Sequence, residues 1–318
     1  MPARFYVSLN PLVTPFHMPR PVDWSAEFGR AAPIELEIGS GNGEYLVRLA
    51  QAHPERDFVG IELRWGRVKK TLRKIGLAGV PNARILYAEV HLALERLFPP
   101  GCLARVHTLF PCPWPGDEEG RHRVYRHDFL RLLNSRLAPD GTAFVVTDDR
   151  DYFDWVLAQV PGTGFAASAG SVGPDYGTKF EHKWRAEGQS EFHRLDLAKL
   201  AHADVPLREE DPVRLHWIER FDPAAFHPRD TDGGDALVRF KGLVYDPART
   251  SGLVRVVVVE DRLKQEFWIE VWPEARGWRI APARGCHVIL TDGVQCALDA
   301  VWRAAGGEPD AERGAGDG

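Results

Sequence analysis

The 318-residue sequence lacks paired cysteines, long apolar runs and an excess of positive charge, each of which would point to a particular class of protein. Its four cysteines form no C-x-x-C pair and have no histidines at zinc-finger spacing, so neither a disulfide framework nor a structural metal is indicated. No run of about 18 apolar residues is present, which argues against a membrane-spanning helix. The first residues also lack the apolar core of a secretory signal. We therefore expect a cytoplasmic protein without a metal or a membrane partner.

The net charge of −5 and the isoelectric point near 6.2 provide no overall basic surface for a nucleic acid. Any RNA contact must depend on a local group of basic residues. One concentrated group is the run Arg64 to Lys74, which contains Lys and Arg side chains and no acid. Such a run is most typical of a solvated helix face, and contact with an RNA backbone is the alternative.

The patterns along the chain predict four regions. Repeated prolines in residues 1–33 predict an extended N-terminal arm. Short apolar strands alternate with amphipathic helices over residues 34–204, which predicts an α/β fold with a mostly parallel, doubly wound sheet. Strand-like runs separated by Asp, Pro and Gly over residues 205–305 predict a smaller C-terminal α+β module. Residues 306–318 have the composition of a disordered tail.

A glycine-rich turn follows the first strand of the α/β region. Residues 36–44 read Leu-Glu-Ile-Gly-Ser-Gly-Asn-Gly-Glu, which places Gly39, Gly41 and Gly43 where a buried strand must turn into a helix. Glycines allow a left-handed backbone and let a ligand approach the main chain, and the helix behind them offers unpaired N–H groups. By itself the pattern is as typical of a plain tight turn as of a binding site.

Carboxylates near this turn indicate which ligand it would hold. Glu62 ends the second strand and Glu89 follows the third, so both would lie at the sheet edge where acids hold ribose hydroxyls and an adenine amino group. A pyrophosphate would be repelled by Glu37 and Glu44, whereas the sulfonium and ammonium groups of S-adenosylmethionine would be attracted. The sequence therefore predicts an S-adenosylmethionine-dependent methyltransferase with Glu37 at the cationic end of the cofactor.

Ordered motifs over roughly residues 5–200 resemble the bacterial tRNA (guanine-N7-)-methyltransferases. Besides the glycine turn, the motifs are Asn10-Pro11, Asp23-Trp24, Gly60-Ile61-Glu62, Phe110-Pro111-Cys112-Pro113-Trp114, Thr147-Asp148 and Thr178-Lys179-Phe180-Glu181. The resemblance implies a Rossmann-like class I methyltransferase fold. It also implies transfer of a methyl group from S-adenosylmethionine to N7 of a variable-loop guanine in tRNA.

The resemblance implies a role for individual residues by position. The implied catalytic residues are Cys112 and Asp148. The implied cofactor-binding residues are Glu37, Gly39, Gly41, Gly43, Glu62, Glu89 and Cys112. The implied substrate-binding residues are Asp148, Thr178, Lys179, Phe180 and Glu181. The oligomeric state and the role of residues 205–305 stay open.

Two departures from the family pattern lead to alternatives. The family motif reads Phe-Pro-Asp-Pro-Trp, so Cys112 stands where the family has Asp, and the following loop carries Asp117, Glu118 and Glu119 in place of many basic residues. One alternative is a catalytically weakened homologue that binds RNA or the cofactor. The other is a cytosine-C5 RNA methyltransferase whose Cys112 thiolate attacks C6 of the base, although the surrounding motifs follow the guanine-N7 pattern.

Overall fold

The computed structural model describes residues 7–116, 119–260 and 262–307. They fall into two compact units that divide between Arg208 and Glu209, where the sequence pattern placed the division between residues 204 and 205. The predicted tail lies outside the described residues from residue 308 onward, as do Asp117 and Glu118 of the acidic loop.

The first unit is a three-layer α/β structure. Its elements, in chain order, are β1 (Leu12–Val13), α1 (Trp24–Phe28), β2 (Ile34–Ile38), α2 (Glu44–Ala52), β3 (Asp57–Glu62), α3 (Trp65–Ala78), β4 (Ala83–Tyr87), α4 (Val90–Arg96), β5 (Leu103–Leu109), α5 (His127–Arg136), β6 (Leu137–Thr147), α6 (Arg150–Gln159), β7 (Phe165–Val172), α7 (Lys179–Ala186) and β8 (Phe192–Lys199). The strands form one sheet in the order β1-β4-β3-β2-β5-β6-β8-β7. All neighbours from β1 to β6 are parallel, and β8 is antiparallel to both β6 and β7. The predicted fold class is confirmed.

Helices cover both faces of this sheet, so its central strands are apolar on both sides. Consecutive residues of a strand point to opposite faces. In β3, Val59 packs in the same cluster as Phe129 of α5, while Phe58 packs with Leu46 of α2 and Ile75 of α3. The continuous apolar runs of the central strands therefore reflect burial between two helix layers.

The N-terminal arm is not extended throughout. α1 begins after Asp23, whose side chain accepts the N–H of Ala26 and so caps the helix. Trp24 is buried and its ring stacks on Phe98 with a centroid separation of 4.8 Å. β1 adds to the sheet beside β4, so the arm contributes both a strand and a core side chain.

The second unit is an antiparallel sheet with one helix packed against it. Its elements are β9 (His216–Ile218), β10 (Thr231–Gly233), β11 (Ala236–Asp246), β12 (Ser251–Glu260), β13 (Leu263–Glu274), β14 (Gly277–Pro282) and α8 (Asp292–Ala304). The strand order is β10-β11-β12-β13-β14-β9. Val294 and Leu298 of α8 pack with Val256 and Ile269 of the sheet, which matches the predicted α+β class.

The described residues contain neither a membrane-spanning helix nor a group of metal ligands. None of the helices there is both long and apolar enough to cross a membrane. In the same part of the chain, no three His, Cys, Asp or Glu side chains are grouped so that they could hold a metal ion.

Candidate active site

The turn between β2 and α2 can be built only with glycine at its key positions. Gly39, Gly41 and Gly43 have φ angles of 74°, 58° and 78°, in the left-handed region that disfavours any side chain. At Gly43 space is also lacking, because a Cβ atom there would lie 2.6 Å from the side chain of Thr71. The turn therefore brings bare main chain to the carboxyl edge of the sheet.

Glu62, at the end of β3, shapes this turn directly. Its Oε2 accepts the N–H of Gly41 at 3.1 Å and its Oε1 accepts the N–H of Arg64 at 2.8 Å. Oε2 also accepts a hydrogen bond from Nη1 of Arg67 at 3.5 Å. Each carboxylate oxygen has two lone pairs, so Oε1 can accept one further hydrogen bond, for example from a ribose hydroxyl. The cofactor role of Glu62 stays a prediction, and the structure adds a role in holding the turn.

A cleft of ≈ 700 Å³ opens beside the turn and gathers most of the predicted site residues. The predicted residues that line it are Glu37, Gly39, Gly41, Cys112, Asp148, Thr178, Lys179 and Phe180. The structure places the other four outside this lining: Gly43, Glu62, Glu89 and Glu181. Three cations of the basic run, Arg64, Arg67 and Lys70, also line the cleft. Motifs that are far apart in the sequence therefore line the same cleft.

Glu37 lies in this cleft as a buried acid that lacks a full set of partners. Its residue is 4% exposed, and its Oε2 has no hydrogen-bond partner among the described residues. Burial, together with the negative charges of Glu44 and Glu62, raises the pKa of Glu37 to about 8. A bound ammonium group would supply both the missing donor and the opposite charge. The residues present therefore fit S-adenosylmethionine, whose amino group Glu37 would hold.

A buried hydrogen-bond chain behind the cleft was not anticipated from the sequence. Nε2 of His107 lies 2.7 Å from Oε2 of Glu35, and Nδ1 of His107 lies 3.1 Å from the hydroxyl of Tyr45, which lines the cleft. Burial acts to raise the pKa of Glu35, but its bonds and charge interactions with His107 and Arg56 outweigh this and hold the pKa at about 2. Burial lowers the pKa of His107. His107 therefore bonds to Glu35 through one ring nitrogen and to Tyr45 through the other, and these contacts fix the Tyr45 ring.

The Phe-Pro-Cys-Pro-Trp loop is held in an unusual backbone conformation. Phe110 and Trp114 have φ angles of 53° and 47°, which are rare for residues with side chains and are concentrated at functional sites. The guanidinium of Arg123 donates to the carbonyl oxygens of Pro113 at 2.9 Å and Trp114 at 3.0 Å. Arg123 is thereby engaged in fixing the loop that presents Cys112, an exposed thiol, to the cleft.

The motif that starts at Thr178 is a variant of the helix capping box, in which the acid bonds the two residues before the N-cap residue Thr178. The Thr178 hydroxyl accepts the N–H of Glu181 at 3.2 Å. The Glu181 carboxylate, which is 1% exposed, accepts the N–H groups of Tyr176 at 2.6 Å and Gly177 at 3.2 Å. These two side chains set the start of α7, and the two residues between them line the cleft. The substrate roles of all four residues stay predictions. The side chains of Thr178 and Glu181 already accept hydrogen bonds from backbone N–H groups.

The remaining two predicted acids lie in different surroundings. Asp148 follows β6 and lines the cleft, and burial, with the nearby charge of Asp149, raises its pKa. Glu89 instead caps α4, where it accepts the N–H of Leu92 at 3.0 Å and lies 3.2 Å from Nδ1 of His91. Its contact with an adenine amino group stays a prediction.

The parallel sheet with its reversed β8, the glycine turn and the buried acid beside it define a class I S-adenosylmethionine-dependent methyltransferase. A family model described as "Putative methyltransferase" matches residues 31–194, which is more than half of the chain. The tRNA (guanine-N(7)-)-methyltransferase of Thermus thermophilus is 30% identical over 303 residues, which cover 91% of this chain and 94% of that protein. The chain belongs to the tRNA (guanine-N(7)-)-methyltransferase family.

Two further comparisons each cover 55% of this chain. The tRNA (guanine-N(7)-)-methyltransferase of Chlorobium phaeobacteroides is 39% identical over 175 residues, or 55% of this chain and 86% of that protein. A solved structure of the 16S rRNA methyltransferase KamB covers 55% of this chain and 94% of its own, with 17% identity and a TM-score of 0.45. The Thermus alignment is long enough to extend into the second unit, so that relative shares sequence with this unit as well.

Proposed function

We propose that this protein acts in the cytoplasm and transfers a methyl group from S-adenosylmethionine to N7 of a variable-loop guanine in tRNA. The observation that carries the proposal is that one cleft is lined by Glu37, a predicted cofactor residue, and by Asp148 and Lys179, two predicted substrate residues. The named tRNA methyltransferase relatives support the choice of substrate.

The chemistry asks little of the protein beyond placement and charge. Guanine N7 has a free lone pair and no proton, so its attack on a methyl group requires no general base. S-adenosylmethionine, when bound, supplies that methyl group on a sulfonium, and the bonding pair returns to sulfur as the N7–carbon bond forms. Positive charge then moves onto the purine, where the Asp148 carboxylate can stabilise it.

Cys112 changes how this stabilisation is shared. A thiol is a weaker acceptor than the carboxylate that the family motif carries at this position. Loss of one preorganised electrostatic group typically costs a factor of about 10² to 10³ in rate, by analogy with an oxyanion-hole donor. Asp148 would then carry more of the charge stabilisation. The second candidate function, a homologue that binds cofactor or RNA with little catalysis, is favoured by Cys112 alone.

The test uses the purified full-length protein, methyl-labelled S-adenosylmethionine and an unmodified tRNA transcript with a variable-loop guanine. Nuclease digestion and mass spectrometry should find N7-methylguanosine at that position, and a transcript with adenosine there should gain no label. Cofactor binding without a methylated base would support the binding-only homologue. A methylated cytosine would support the covalent Cys112 mechanism instead.

A further inference from the structure

Two exposed aromatic rings lie side by side at the carboxyl edge of the sheet. Trp65 is the first residue of α3 and is 42% exposed, and Tyr87 is the last residue of β4 and is 39% exposed. Their ring centroids are 5.5 Å apart. The two rings are tilted by 54° to one another, so each keeps part of a face open to solvent. An exposed aromatic face offers a stacking surface for a flat ligand.

Cations lie close to Trp65 along the chain. Arg64 directly precedes Trp65, and Lys69 lies one helical turn further on. In the described part of the chain, neither of them forms an ion pair, nor does the exposed Lys70. Arg64 and Lys70 also line the active-site cleft, so the aromatic pair adjoins the place where the substrate would bind.

We propose that Trp65 and Tyr87 form a stacking platform for an unpaired nucleobase of the tRNA substrate, with Arg64 and Lys69 holding the flanking phosphates. The proposal rests on the proposed function. Proteins bind single-stranded RNA by combining aromatic faces for the bases with cations along the backbone. Through Arg64, which precedes Trp65 and lines the cleft, the platform adjoins the cleft in which the target guanine would bind. A run of cations with no acid complements a polyanion, so RNA fits this surface better than a neutral protein face.

The experiment compares variants of Trp65 with Leu77→Ala as the matched control, because Leu77 is 61% exposed on the same helix, near its far end. Binding of an unmodified tRNA transcript and binding of S-adenosylmethionine are measured separately, alongside methylation. Trp65→Ala should weaken tRNA binding about tenfold or more, since stacking on an aromatic ring is worth that much per base. Trp65→Phe should restore most of the affinity and Trp65→Leu should not. Affinity for S-adenosylmethionine should stay at the wild-type value.

A salt titration separates the cations from the rings. Lys69→Ala should reduce the slope of log K against log salt by about one, whereas Trp65→Ala should leave that slope unchanged. The platform is refuted if Trp65→Ala binds tRNA as Leu77→Ala does, if Trp65→Leu performs as well as Trp65→Phe, or if only cofactor binding is lost. The last outcome would assign the ring to the cofactor. If wild type methylates no guanine while Trp65→Ala still loses tRNA affinity, the proposed function fails and the platform stands.

Discussion

Arg48 of α2 donates a hydrogen bond from Nη2 to the carbonyl oxygen of Asp175 at 2.8 Å, and so ties the helix that follows the glycine turn to the segment before α7. Arg48 also packs tightly against Gly177, where an added Cβ atom would lie only 3.0 Å from Nη1 of Arg48. The rings of Tyr45 and Tyr176 also meet edge to face, with centroids 5.7 Å apart. The helix α2 and the segment before α7 therefore hold each other in place.

Arg48→Ala should raise KM for tRNA about tenfold, because a hydrogen bond from a charged group is worth about 1.5–3 kcal/mol and the capped segment depends on this one. Steady-state kinetics with tRNA varied at saturating S-adenosylmethionine measures this. Arg48→Lys is the matched variant, since it keeps a positive charge near Glu37 but loses the fork geometry. An unchanged KM for tRNA in both variants would show that the contact does not position the substrate side.

Glu37→Gln should abolish cofactor binding and yet stabilise the ligand-free protein at alkaline pH. The folded state keeps Glu37 protonated up to a pKa of about 8, whereas the unfolded chain ionises it near its ordinary value of 4.5. Stability is therefore lost as pH rises between these two values, and glutamine removes that loss. Thermal melts at pH 5 and pH 8.5 should show the variant gaining on wild type at the higher pH, by about 2–4 °C per kcal/mol.

Melts with S-adenosylmethionine added serve as the control for the loss of cofactor binding. With S-adenosylmethionine present, the wild-type protein should gain stability and the variant should not, because a ligand that binds only the folded state stabilises it. A variant and wild type with parallel pH profiles would contradict the assignment of Glu37 as a buried acid awaiting a cation.

In the capping motif, we expect substitution of Thr178 to lower stability and substitution of its neighbour Lys179 to affect only tRNA binding. Thr178→Ala should cost about 1 kcal/mol of stability, the usual value of a lost helix cap, and should also weaken tRNA binding. Lys179→Ala should leave the melting temperature unchanged and reduce the salt dependence of tRNA binding by about one phosphate contact. A fall in melting temperature for Lys179→Ala, or none for Thr178→Ala, would reverse these assignments.

Sequence patterns predicted the features that depend on residues close together in the chain. The glycine turn and the apolar strands around it could be predicted because each uses residues close together in the chain. The strand β7 is not predicted by such patterns, since it contains the run Ala-Ala-Ser-Ala-Gly-Ser, which has no apolar alternation. The capping box at Thr178 could have been predicted from its T-x-x-E spacing.

The buried Glu35–His107 pair could not have been predicted in the same way. The two residues are 72 positions apart and meet only because β2 and β5 are neighbours in the sheet. Polar residues at alternate positions of otherwise apolar strands were the available signal. Without the strand order, nothing in the sequence indicates which of them pair.

Cys112→Asp should raise kcat, because it restores a carboxylate beside the position where positive charge develops on the purine. Cys112→Ser should stay close to wild type, since a hydroxyl is of similar size and carries no charge. Single-turnover methylation of tRNA measures both. If both variants lose all activity, the thiol itself takes part in the reaction, and the covalent alternative regains support.

Methyl transfer to a tRNA in which 7-deazaguanosine replaces the variable-loop guanosine tests the central claim most directly, because this base keeps the shape and pairing of guanine but has no nitrogen at position 7. The unsubstituted transcript should gain one labelled methyl group at that position and the 7-deaza transcript none. Equal labelling of the two transcripts would contradict N7 as the acceptor, and no labelling of either would contradict the proposed activity.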